Sequence, residues 1–96
     1  MRESAVEKYA VEKIRGVGGR AFKWVSPGIA GVPDRICVFP EGRIIFVEFK
    51  RPGLSDGRSP RQKKITLVLE KLGCTVRRIG SKEELRDLME EIGYAL

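Results

Sequence analysis

Histidine is absent from this 96-residue chain. Its absence excludes Ser-His-Asp and Cys-His catalysis and any zinc site built on imidazole. Catalysis, if there is any, must rest on carboxylates, lysine or a hard metal ion. Cysteine is scarce, with Cys37 and Cys74 the whole complement. Both fall in apparent strands, and two thiols in a reducing compartment read as small buried residues rather than a disulfide. No apolar run is long enough to cross a bilayer. The opening MRESAVEKYA carries acids and lacks an apolar segment, so it does not read as a signal peptide. The expectation is a cytoplasmic protein with no membrane association, one domain over residues 1–96 and one modest core.

What the chain has in quantity is charge. Charged residues make up 33% and hydrophobic residues 42%, the balance of a soluble globular protein. The net charge is +6, which favours a polyanionic partner. The excess is concentrated: Lys50, Arg51, Arg58, Arg61, Lys63 and Lys64 face a single acid, Asp56, between positions 50 and 64. A solvated loop would explain such a run. Phosphate binding explains it better, because the run directly follows a strand that itself carries ionisable residues.

That strand is IIFVEFK. Ile44, Ile45, Phe46, Val47 and Phe49 predict a strand buried on both faces, yet Glu48 and Lys50 interrupt it. Burying a charge is costly unless it is paired or bound to a metal. Around it, apolar spacing predicts a helix over 4–17 and a short strand over 20–25, with Phe22 and Trp24 on one side. Strands follow over 34–39 and 43–50, joined by Pro40-Glu41-Gly42, and a polar loop covers 51–58. Ser59, Pro60 and Gly73 bound a second helix over 60–72. A fourth strand covers 74–79, and Ser81 with Glu84 forms a capping box for a last helix bearing Leu85, Leu88, Met89 and Ile92. The fold class is therefore α/β, a mixed four-stranded sheet flanked by helices in the order αβββαβα. The third and fourth strands should be parallel.

Asp34 and Glu48 each lie seven positions from Glu41. If the hairpin loop holds an odd number of residues, they oppose each other across the antiparallel pair, with β-carbons about 5 Å apart. A two-residue turn at Glu41-Gly42 would oppose Asp34 to Phe49 instead. Period two puts Lys50 on the face of Glu48. Two carboxylates and an ammonium on one edge suit a hard divalent ion, Mg²⁺ or Mn²⁺, and a phosphate. A Glu48–Lys50 surface pair on a half-exposed strand is the competing explanation, and spacing alone does not choose between them.

The chain resembles the PD-(D/E)XK nuclease superfamily, with its restriction-endonuclease-like core, through Pro33-Asp34 and Glu48-Phe49-Lys50 separated by a hairpin. More closely it resembles the stand-alone, virus-type VRR-Nuc domains, through VEKY (6–9), GG (18–19), GVPDRI (31–36), FVEFKRPG (46–53) and SPRQ (59–62). The resemblance implies a metal-dependent DNA endonuclease leaving 5′-phosphate and 3′-hydroxyl ends. It makes Asp34 and Glu48 metal-binding acids and the Phe49 carbonyl a further ligand. Lys50 would handle the attacking water, Glu7 would complete the metal shell directly or through water, and Gln62 would sit beside the site. It points to branched DNA such as four-way (Holliday) junctions, to roles in repair or recombination, to a homodimer and to an association with nucleoid or phage DNA. A flap or fork nuclease and a non-catalytic nucleic-acid-binding module are the alternatives.

Local explanations compete at several positions. Ser4-Ala5-Val6-Glu7 and Ser59-Pro60-Arg61-Gln62 are also capping boxes, and Glu3 is a second candidate acid. Phe22 and Trp24 are candidates for base stacking, with core packing expected of at least one. One of Arg77 and Arg78 should point outward, within reach of a phosphate. The apolar residues of the last helix, with Tyr94 and Leu96, either cover their own sheet or supply a dimer contact. Arg51, Arg58, Arg61, Lys63 and Lys64 are the expected grip on the DNA backbone.

Overall fold

The computed structural model describes residues 4–50 and 59–95. The expected roles of Glu3, Arg51, Arg58 and Leu96 lie outside the described residues. The elements run α1 (Ala5–Gly16), β1 (Arg20–Lys23), β2 (Arg35–Phe39), a 3-10 turn (Pro40–Gly42), β3 (Arg43–Phe49), α2 (Pro60–Lys71), β4 (Val76–Ile79) and α3 (Lys82–Glu91). The four strands form one sheet in the order β1-β2-β3-β4. β1 and β3 both pair antiparallel with β2, and β3 pairs parallel with β4. The parallel pair is the one whose connection contains a helix, as geometry requires.

The hairpin turn sets the register. Pro40 starts it, and Glu41 and Gly42 both adopt left-handed backbone, φ 69° and 78°. Glycine accepts that conformation freely, whereas glutamate does so at some cost. Three residues in the turn pair Phe39 with Arg43 and Arg35 with Val47. Side chains then alternate. Cys37, Phe39, Ile45, Val47, Phe49 and Ile79 join Ala10 and Ile14 of α1 and Leu85, Leu88 and Met89 of α3 in the core. α2 meets the opposite face, where Thr66 reaches Glu48.

Three expectations change. β3 is not buried on both faces throughout: Ile44 is 48% exposed, because it lies on the face opposite the core helices at the hairpin end, while α2 covers the far end near Glu48. β1 stops at Lys23 rather than residue 25, and Trp24 turns its ring onto Phe46, with centroids 5.1 Å apart. Phe22 stays exposed. Cys74 is not in β4. Its N–H bonds to the Leu69 carbonyl while Gly73, at φ 91°, bonds to Glu70, which closes α2 with a left-handed cap. Of the two expected uses of the α3 face, the structure shows the covering of its own sheet: Leu85, Leu88 and Met89 are buried in the core, and Ile92 and Tyr94 pack on it. That face of α3 is therefore not open to a second chain.

The two thiols should behave differently. Cys37 is buried beneath both core helices, and burial pushes its pKa up to about 12 against a smaller opposing pull from Arg35. The raised value favours the neutral thiol in the folded state. Its contribution to stability is intact below the unfolded value near 9.0 and is lost as pH rises from there towards about 12. Alkylation at mildly alkaline pH should label the half-buried Cys74 in the native protein and Cys37 only after denaturant is added. Equal labelling of both native thiols would contradict the buried placement.

Candidate active site at the end of the β2–β3 hairpin

Asp34 immediately precedes β2. Continuing the register by one step sets it opposite Glu48. The described backbone holds it from both sides: its carbonyl accepts the Trp24 N–H at 3.1 Å, and its Oδ2 accepts the Phe49 N–H at 2.8 Å. Glu48 is 2% exposed. Its Oε1 accepts the Thr66 hydroxyl at 2.7 Å, and Oε2 is buried without a hydrogen bond of its own. On its other side Glu48 pairs in register with Arg78 of β4. Residues directly opposed across an antiparallel pair have β-carbons about 5 Å apart, so this end of the sheet carries two acidic side chains on one face.

The backbone contributes a further acceptor. Phe46 and Lys50 donate their N–H groups to Thr75 and Ile79, towards β4. The intervening odd-numbered residues of β3 therefore present N–H and C=O towards β2. The register continues to place Phe49 opposite Pro33. Proline has no N–H, so it cannot donate to the Phe49 carbonyl as another ladder residue would. Asp34, Glu48 and the Phe49 carbonyl thus gather at one end of the sheet. Gly31 lets the preceding loop approach: a β-carbon there would lie 2.7 Å from the Arg61 backbone, at the start of α2.

The other expected site residues are held by partners of their own. Glu7 Oε2 accepts Arg35 Nε at 2.8 Å, in a pair whose side chains are 13% and 7% exposed. Arg35 also donates to the Ala21 carbonyl at 3.0 Å, which ties α1, β1 and β2 together. Gln62 closes the α2 capping box, its Oε1 accepting the Ser59 N–H at 2.9 Å. The Lys50 ammonium lies 3.2 Å from both carboxylate oxygens of Glu84 on α3. No group of three or more His, Cys, Asp or Glu side chains comes together as a metal cluster among the described residues. Arg61, Lys63 and Lys64 are exposed on the first turn and a half of α2, the helix that reaches Glu48. Arg77 is exposed and pairs with Glu91 at 2.9 Å, whereas Arg78 is half-buried beside Glu48.

Sequence reasoning missed Arg35, Thr66 and Glu84. Arg35 had a signal: it is a charged residue at an inward position of its strand, between Pro33 and Cys37, which face the same way. The Glu7–Arg35 pair is nearly buried, so removing one partner strands a charge. Glu7→Ala should lower stability by about 3 kcal/mol in urea titrations run in EDTA. A change below about 0.5 kcal/mol would assign the pair the value of a surface contact.

No family model matches the chain. Over 53 residues, 55% of its length, the chain is 55% identical to "Putative nuclease p44" of Acyrthosiphon pisum secondary endosymbiont phage 1, and the match spans 57% of that protein. The fold superposes on a solved VRR_NUC domain with a TM-score of 0.80 and 32% identity, over 93% of this chain and 94% of that one. Identity of that order along nearly the whole of both chains, with the same architecture, shows that this chain belongs to the VRR-Nuc domain family.

Proposed function

We propose that the protein is a metal-dependent DNA endonuclease that hydrolyses phosphodiester bonds at branched DNA, four-way (Holliday) junctions above all. The observation that carries this is the gathering of Asp34, Glu48 and the Phe49 carbonyl at one sheet end in a VRR-Nuc domain. The name of the phage relative, a nuclease, supports the reaction class.

The donor set is made only of hard oxygens, which suits Mg²⁺ or Mn²⁺ rather than a thiophilic metal. Asp34, Glu48 and the Phe49 carbonyl would hold such an ion. When bound, it supplies an acidified water and neutralises charge on the phosphoryl oxygens. Lys50 places the attacking water. Thr66 fixes one oxygen of Glu48 and so its rotamer. Glu7 acts through Arg35, the residue next to Asp34, whose side chain it holds. Gln62 has its carbonyl oxygen committed to the helix cap, which leaves its amide nitrogen for the site. Arg61, Lys63 and Lys64 grip phosphates, a contact that positions a substrate without reading its sequence. Cutting both strands of a symmetric junction calls for two sites related by a two-fold axis, and so for a homodimer.

The deciding experiment incubates linear, flapped and four-way DNA with the protein in Mg²⁺, Mn²⁺ or EDTA. Cleavage should need the metal and favour the four-way substrate. Asp34→Asn and Glu48→Gln should each abolish cleavage and keep DNA binding, since each removes a ligand charge and almost no volume. Near-normal cutting by both variants, or binding of every substrate without cutting, would sink the proposal.

Salt dependence tests the grip. Replacing Arg61 and Lys64 with alanine should weaken binding to all DNA shapes alike. Each lost contact should reduce the log–log salt slope by about 0.9 on duplex DNA. A slope unchanged from that of the parent would place α2 away from the substrate.

A further inference from the structure

Each helix begins at a serine with Glu or Gln three residues on, yet only one capping box closes. In α2, Ser59 and Gln62 exchange both hydrogen bonds. In α1 and α3 the serine hydroxyl still accepts the N–H of the third residue, at 3.0 Å in each. The carboxylate of that residue goes elsewhere: Glu7 takes Arg35, and Glu84 takes Lys50 with both oxygens. Glu84 Oε2 also lies 3.4 Å from the Gly80 N–H. Lys50 and Glu84 are about two-fifths exposed. An exposed pair of this kind adds little stability, so the exchange of a cap for an ion pair gains position rather than energy.

Gly80 makes an independent case. A β-carbon at this residue would lie 2.6 Å from Cδ of Lys50 and 3.3 Å from its Cβ and Cγ. A side chain there would require the lysine arm to shift from this course. The backbone N–H of Lys50 is meanwhile fixed to the Ile79 carbonyl at 2.9 Å. Backbone, stem and ammonium of one side chain are thus held by Ile79, Gly80 and Glu84, all at the junction of β4 and α3.

We propose that Gly80 and Glu84 are positioning residues for Lys50: the glycine opens the slot in which the lysine arm lies, and the carboxylate holds its ammonium. The inference rests on the assignment of Lys50 to the attacking water. A lysine stem has four rotatable carbons, and seating it beforehand removes that freedom before the substrate arrives. Neither Gly80 nor Glu84 touches the substrate in this scheme.

The test is a mutant cycle. Gly80→Ala and Glu84→Gln are each made with Lys50 present and in a Lys50→Ala background. Single-turnover rates and KM are measured in Mg²⁺, and melting temperatures in EDTA. With Lys50 present, Gly80→Ala should slow the single-turnover rate on the order of tenfold to a hundredfold while KM stays within about twofold. Glu84→Gln should slow it less, in the same pattern. It alters only a half-exposed side chain, so it keeps the test open if Gly80→Ala fails to fold. In the Lys50→Ala background neither change should slow the residual reaction further, and the melting-temperature loss from Gly80→Ala should shrink, because the arm it collides with is gone. If Lys50→Ala abolishes cleavage but Gly80→Ala and Glu84→Gln leave the rate unchanged, the positioning role is wrong and the site stands. A melting-temperature loss from Gly80→Ala that persists undiminished in the Lys50→Ala background would make Gly80 a purely structural residue and overturn its part. Near-normal cleavage by Lys50→Ala itself would remove the catalytic assignment and the positioning role with it.

Discussion

Everything at the candidate site depends on a count of three. Pro40, Glu41 and Gly42 separate the paired residues Phe39 and Arg43, and that spacing sets the β2–β3 register. Because side chains alternate with period two, one residue more or fewer would carry every β2 side chain to the other face relative to β3. Asp34 would then oppose Phe49, among the core residues, and Glu48 would lose its counterpart. The same shift would turn Cys37 and Phe39 out of the core. Folding and site formation therefore share one constraint, and the left-handed backbone at Glu41 persists because the packing on both sides of the turn requires it.

The sheet divides its two faces between these tasks. The face carrying Cys37, Ile45, Val47 and Phe49 is sealed by α1 and α3 and supplies the apolar burial. The other face carries Ile44, Phe46 and Glu48 and is covered unevenly. α2 reaches Glu48 through Thr66, while Ile44 and Phe22 remain open near the hairpin and β1. The division places a buried carboxylate within one residue of the core at the end of the sheet where the strands β2 and β3 cease to pair. Arg35 carries polarity onto the sealed face itself, and it is tolerated there because Glu7 and the Ala21 carbonyl meet it.

Much of this was legible in the sequence. Element order, the hairpin and the pairing types followed from apolar spacing, helix caps and the length of each connection. The opposition of Asp34 and Glu48 was legible up to the length of the turn, which local rules left open between two and three residues. What local patterns could not supply were partners distant along the chain. Arg35 meets Glu7 from 28 positions away, Thr66 meets Glu48 from 18, and Lys50 meets Glu84 from 34. The three serine boxes show why. They read alike, but whether the acid caps its own helix or leaves for a cation depends on which strand end the fold delivers beside it. Burial at Ile44 failed for a related reason: an apolar run does not reveal how far the covering helix extends.

Pro33 has a consequence for how such a chain can vary over evolutionary time. Position 49 contributes to the sheet end through its backbone carbonyl, which every amino acid possesses. Its side chain answers only to the core, where Phe49 is 5% exposed. Apolar replacements at 49 that fit the core would therefore be silent with respect to the carbonyl. Position 33 is the reverse case, since any residue but proline there would restore an N–H donor on the opposite rung and compete for that same oxygen. Drift should accumulate at the residue that supplies the acceptor, and constraint should fall on the one that supplies nothing.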